Sequence, residues 1–121
     1  RSDSIFYVKK RDTDMAIIVM KTYEPKVGEG GALWKACTEF NEIIVKEGWP
    51  PLELWGAFEG PHNSCTTIQR WDSFADYEEA MAKWVATPSI RSGVFDLVYP
   101  TNATSYPTTF FYDRTPEIKG E

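Results

Sequence analysis

A chain of 121 residues is the size of one domain and can bury a core without disulfide or metal support. Its net charge of −5, with no basic cluster beyond "VKKR" at residues 8–11, argues against nucleic acid as a partner. Aromatic residues at 15% are a high share, which points to core packing, a subunit interface or the walls of a pocket for a flat apolar ligand.

The elements follow in chain order. "SIFYVKK" within residues 1–13 reads as an edge strand or an N-terminal arm. "DMAIIVMKTY" (14–23) is β-branched and apolar on both faces, the pattern of a central strand covered on two sides. After a Pro/Gly-rich break, Leu33, Cys37, Phe40 and Ile44 recur at helical spacing, with Trp34, Asn41 and Val45 beside them. This predicts a helix over 32–47, stopped by Gly48 and "WPP". "LELWGAFEG" (52–60) and "SCTTIQRW" (64–71) alternate as two strands of a hairpin with "GPHN" at its tip.

Ser73 is placed to cap the next helix, with Asp76 three residues on, and Phe74, Tyr77, Met81, Trp84 and Val85 form its expected buried face. "TPSIRSGVFDLVYP" predicts a shorter helix capped by Thr87, with Pro88 at its first position and Pro100 beyond its end. "TSYPTTFFYD" (104–113) reads as a last strand, edge or bulged because of Pro107, with Tyr106, Phe110 and Tyr112 on one face. The tail, 114–121, is polar and expected to be loose.

Strand, helix, strand, strand, helix, short helix, strand is the βαββαβ order of an α+β, ferredoxin-like domain spanning 1–121. Its four-stranded antiparallel sheet would carry the helices on one face. The bare face would carry apolar groups, which predicts a homodimer.

"NSCTTIQRWDSFADYEEAMAKW", running into "ATPSIRSGVFDLV", resembles the dimeric α+β barrel superfamily, near its antibiotic-biosynthesis-monooxygenase-like and NIPSNAP-like groups. There a strand ends in Trp, an Asp-Ser cap opens an amphipathic helix, and a small-Pro turn opens a second. The resemblance implies a pocket between sheet and helices that takes a small hydrophobic or aromatic molecule. It also implies, for oxygenase members, catalysis without metal or flavin, the substrate supplying electrons to oxygen. Haem-degrading members use a histidine on the second helix, and "DYEEAMAKW" has none.

Two functional readings follow. One is a cofactor-independent monooxygenase, or related isomerase or cyclase, acting on a phenolic or polyketide-like substrate. Asn41 and Trp71 would orient the substrate catalytically, and Trp34, Gln69, Trp84 and Tyr112 would complete the binding site. The other is a non-catalytic ligand-binding or assembly module of the same fold. For Trp71 the alternative role is a packing residue at the strand–helix corner. For Asn41 it is a buried amide satisfied by backbone.

A fully packed space between Trp71, Asn41 and Trp84 would favour an assembly module. A cavity of about 300 Å³ or more with converging polar groups would favour binding. His62, the only histidine, lies at the hairpin tip, remote from any base; no metal spacing or cofactor motif is present, and Cys37 and Cys65 read as small core residues. With no apolar run near the ~18 residues of a membrane span and no signal segment, the cytoplasm is the expected location.

Overall fold

The computed structural model describes residues 15–57, 64–105 and 107–116. The N-terminal segment 1–13, the hairpin tip with His62, Tyr106 and the end of the tail therefore lie outside the described residues.

The sheet is built around β1 (Ile17–Pro25), which pairs antiparallel with β3 (Cys65–Trp71). β2 (Leu52–Gly56) pairs antiparallel with the far side of β3. The other edge of β1 is taken by two short strands, β4 (Asn102–Ser105) and β5 (Thr109–Tyr112). The sheet order is β2-β3-β1-β4, with β5 continuing the β4 position along β1. This is the antiparallel sheet of the α+β, ferredoxin-like fold anticipated from the element order.

The last strand, expected over 104–113 as an edge or bulged strand, is two strands. The pairing shows the bulge. Met20 faces Thr109 and Tyr23 faces Ser105, so two residues of β1 oppose three of its neighbour. Pro107 falls in that bulge, where a residue with no N–H to offer the ladder is tolerated.

Strand periodicity divides the sheet into two faces. Ile17, Val19, Lys21 and Tyr23 lie opposite Trp71, Gln69, Thr67 and Cys65, and this face is covered by helices. Phe110, opposite Val19, also faces the helices, packing edge-on against Phe74 and Tyr77. Ile18, Met20, Ile68, Trp55 and Phe111 take the alternate positions on the outer face.

Helix α1 (Gly30–Lys46) buries Leu33, Ala36, Cys37 and Ile44 against the inner face. Gly48 ends it with φ +87, a left-handed value that glycine adopts without steric penalty. The Trp49 N–H then reaches the Ile44 carbonyl and the Gly48 N–H the Val45 carbonyl, the two bonds of a Schellman turn. That reversal folds Trp49 back under the helix. Cys37 and Cys65, distant in sequence, meet with Leu33 in one buried cluster as free thiols. Their mutual hydrogen bond, reinforced by burial, holds the Cys37 thiol protonated.

Helix α2 (Phe74–Lys83) starts as expected, with the Asp76 N–H donating to Ser73 Oγ at 3.1 Å. Its predicted apolar face is shorter than the pattern suggested. Trp84–Ala86 tightens into a 3-10 turn, and this rotation leaves Val85 57% exposed. Thr87 does not cap the next helix, because its hydroxyl donates backwards to the Lys83 carbonyl.

The predicted short helix is three segments: α3 (Pro88–Ser92), a π-helical stretch (Gly93–Val98) and α4 (Tyr99–Thr101). Pro100 lies inside α4 rather than beyond a helix end. It has no N–H for the carbonyl four residues back, which favours the widened turn preceding it.

Gly93 marks the closest approach of this segment to α1. A Cβ there would stand 2.6 Å from Phe40 Cδ1. Gly93→Ala should therefore destabilise the protein by ~1–2 kcal/mol in chemical denaturation, since overpacking outweighs the ~1 kcal/mol that alanine gains in helix propensity. Shrinking the ring with Phe40→Leu in the same chain should recover most of the loss. Equal losses with and without the second change would refute the steric account.

Candidate functional site

A cavity of about 170 Å³ lies between the inner sheet face and the helices. Its floor is Val19, Lys21 and Tyr23 from β1 with Thr67 and Gln69 from β3. Cys37, Phe40 and Ile44 close it from α1, Trp49 from the connection after α1, and Leu52 from the start of β2. Tyr77, Met81, Trp84 and Tyr99 complete the aromatic wall. The irregular segment after α2 supplies the rim. Phe95 leans on Trp84 at 6.0 Å and meets Tyr99 edge-on at 5.3 Å, while Tyr99 both lines the cavity and is 50% exposed. A helix that switches between 3-10, α and π geometry places these rings where a regular helix would not.

Lys21 is the polar feature of the floor. It stands in phase with Ile17, Val19 and Tyr23, so the strand turns it towards the helices instead of solvent. Among the described residues no hydrogen bond or ion pair reaches its ammonium, and no carboxylate lines the cavity. Desolvation lowers its pKa from the ordinary lysine value. Burial has the opposite consequence for two phenols in the same walls. Tyr23 is held protonated first by burial and then by its thiol and phenol neighbours, and Tyr77 by burial alone.

The structure brings together some of the residues expected at a site and not others. Gln69 and Trp84 line the cavity. Gln69 is buried, and its amide donates to the Pro50 carbonyl at 2.8 Å, which orients it in the floor. Asn41 is not a lining residue. Its Nδ2 donates to the Leu52 carbonyl at 3.1 Å and its Oδ1 accepts from the Leu52 N–H at 2.7 Å. Both ends of the amide are thus used to fasten the start of β2 to α1, the backbone-satisfied alternative for this residue.

Trp71 sits behind the cavity wall, packed with Ile17 and Val19 and edge-on to Trp49 and Tyr77 at 5.7 and 5.6 Å. Trp34 packs on the Leu33–Cys37–Cys65 cluster and against Gly56. Tyr112, opposite Ile17 on β5, is 47% exposed and away from the cavity.

Among the described residues the Trp71 indole N–H is the buried side-chain donor left without a partner. Trp71→Phe keeps most of the ring packing and removes that orphan donor, so it should change stability by less than ~1.5 kcal/mol. Near-neutral unfolding with retained ligand binding is the expected result. Loss of binding at unchanged stability would assign Trp71 to the site after all.

Sequence reasoning missed Lys21, Tyr23, Trp49, Tyr77 as a cavity phenol, and Tyr99. The signal for Lys21 was its phase, a charged residue at an inward position of a β-branched strand. For Trp49 it was the helix-ending glycine, whose turn geometry sends the next residue back to the helix.

Among the described residues no group of three His, Cys, Asp or Glu is placed to hold a metal, and no helix is long and apolar enough to cross a membrane.

The arrangement defines an α+β protein with an aromatic cavity over the inner sheet face. Comparison with solved structures identifies the same fold in several proteins. An uncharacterised NIPSNAP domain protein from Burkholderia xenovorans matches with a TM-score of 0.68 at 17% identity, covering 84% of this chain and 99% of that one. A NIPSNAP family protein of unknown function from Agrobacterium tumefaciens gives a TM-score of 0.67 at 20% identity, covering 82% and 88%. A putative antibiotic biosynthesis monooxygenase from Chloroflexus aurantiacus gives 0.63 at 13%, covering 87% and 99%. No family model and no curated protein matches the chain. The fold is therefore the one shared by NIPSNAP and antibiotic-biosynthesis-monooxygenase-like proteins.

Proposed function

We propose that this protein binds a single-ring aromatic molecule bearing an acidic group, with the ring between the aromatic walls and the acidic end on Lys21. The observation that carries this reading is the unpaired ammonium on the cavity floor. A half-buried charge with no carboxylate beside it makes the cavity complementary to a carboxylate, phenolate or enolate.

Volume sets the ligand size. An apolar cavity of roughly 150 Å³ accommodates benzene. At about 170 Å³, this one suits one substituted ring rather than a polycyclic polyketide. It is also smaller than the roughly 300 Å³ lower bound for drug-sized ligands.

The experiment is a tryptophan-fluorescence titration with salicylate, since Trp49 and Trp84 both line the site. Saturable quenching, with protection against thermal unfolding, is expected. No saturation by salicylate, benzoate or hydroquinone at millimolar concentration would overturn the reading.

An oxygenase role draws support from the same lysine. An ammonium beside a bound hydroquinone favours the phenolate, and that electron-rich form can donate electrons to dioxygen without flavin or metal. Oxygen uptake with single-ring hydroquinones, above that of a denatured-protein control, is the result this role requires. Saturable binding without uptake would leave a non-catalytic ligand-binding module. We propose in addition that the outer sheet face, with Trp55 54% and Phe111 46% exposed, is a homodimer surface. A monomeric mass in light scattering at micromolar concentration would contradict it.

A further inference from the structure

We propose that Lys21 Nζ is a nucleophile that condenses with the carbonyl carbon of a single-ring aromatic aldehyde or ketone held in this cavity, forming an imine. The inference rests on the binding reading above and adds a substrate class to it.

A lysine amine attacks carbonyl carbon only as the neutral base, so its surroundings decide whether it can act. Around Lys21 the packed elements present Tyr23 from β1, Thr67 and Gln69 from β3, Cys37 from α1, Tyr77 from α2 and Tyr99 from α4. These are phenols, a hydroxyl, an amide and a thiol. Among the described residues none is a carboxylate that would hold the ammonium charged. Desolvation acts in the same sense, enlarging the neutral fraction near pH 7. The strand holds the side chain's base in register with Thr67, on the floor of a cavity walled by aromatic rings.

The step balances without an oxidant. The nitrogen lone pair forms the N–C bond as the carbonyl π pair moves to oxygen, and transfer of the amine proton to that oxygen gives the carbinolamine. A protonated phenol then gives its proton to the hydroxyl, the C–O bond breaks, and water leaves. The phenolate recovers a proton from the iminium nitrogen, leaving a neutral imine. Tyr23 and Tyr77 line the same cavity and supply this relay. In sum, one amine and one carbonyl give one imine and one water.

The test is reductive trapping of the unaltered protein at pH 7 with 4-hydroxybenzaldehyde and cyanoborohydride, followed by peptide mass spectrometry. Lys21 should acquire the benzylamine adduct severalfold faster than the exposed Lys35 and Lys46, because the cavity holds the aldehyde beside it. Salicylate should suppress the Lys21 adduct and leave the other two unchanged. Lys21→Arg should lose that adduct alone. If this variant does not fold, the salicylate competition in the unaltered protein gives the same readout. Labelling of Lys21 no faster than Lys35 and Lys46 would overturn the imine. If salicylate still quenches fluorescence saturably in that case, the binding reading survives and only the nucleophile falls. If salicylate does not bind either, both fall.

Discussion

Lys21→Met is expected to stabilise the free protein and to weaken salicylate binding by roughly 10–100-fold. Both effects come from the same unpaired charge. A hydrogen bond to a charged group contributes about 1.5–3 kcal/mol, and 1.4 kcal/mol is tenfold in affinity. Without ligand, half-buried Lys21 lines a cavity with Val19, Tyr23, Tyr77, Trp84 and no carboxylate, so replacing it with an apolar chain of similar length removes a desolvation penalty.

The gain in stability should depend on pH, with a sign that can be worked out. The folded-state pKa of Lys21 is below its ordinary value of 10.5, so between the two the unfolded chain binds more protons than the folded one. Stability attributable to this group then rises with pH across that window, and the penalty is gone once the lysine is neutral in both states. The advantage of Lys21→Met should be largest near pH 7 and shrink towards pH 10. Urea titrations of both proteins at pH 7 and pH 10 check this. An equal difference at the two values would show that burial of the charge is not the cause.

Asn41→Ala should cost ~2–3 kcal/mol of stability without altering the affinity of the folded protein for ligand. Two hydrogen bonds, of 3.1 and 2.7 Å, join its amide to the backbone of Leu52, and truncation leaves both backbone groups to find water in a partly buried place. Leu52 itself lines the cavity, so the amide supports the site by fixing β2 against α1 without touching the ligand. Asn41→Asp preserves the acceptor for the Leu52 N–H but cannot donate to the Leu52 carbonyl, and should fall between. Denaturant midpoints give the stability, and fluorescence titration at low temperature gives the affinity. A drop in affinity at unchanged stability would return Asn41 to a role in orienting substrate.

The sheet and its helices were readable because their periods are strong. "AIIVMKT" is a β-branched run apolar on both faces, "CTTIQRW" reads as a strand, Leu33, Cys37 and Ile44 keep a helical stripe, and Ser73 caps where expected. Legibility failed where backbone departs from one period. Between Trp84 and Thr101 the chain passes through 3-10, α and π turns, so no fixed spacing assigns a buried face and Val85 is exposed. Pro107 signalled a bulge, yet only the register of β4 and β5 against β1 shows one strand becoming two.

The cavity was partly readable for a different reason. Gln69 and Trp84 were among the expected lining residues, but the neighbourhood of an aromatic depends on tertiary packing. Trp71 and Trp34 are no less aromatic than Trp49, yet Trp49 lines the cavity while the other two pack in the core clusters. Lys21 was the residue most open to detection, since its inward phase conflicts with its charge. Such a conflict between local pattern and residue type is where functional sites are expected to show.

The central claim is that the cavity receives a single-ring aromatic acid on Lys21. A crystal structure of the protein grown with salicylate tests it most directly. The ring is expected among Trp49, Tyr77 and Trp84, with its carboxylate within hydrogen-bond distance of Lys21 Nζ. A closed, empty cavity, with Lys21 turned out to solvent at saturating salicylate, would contradict it.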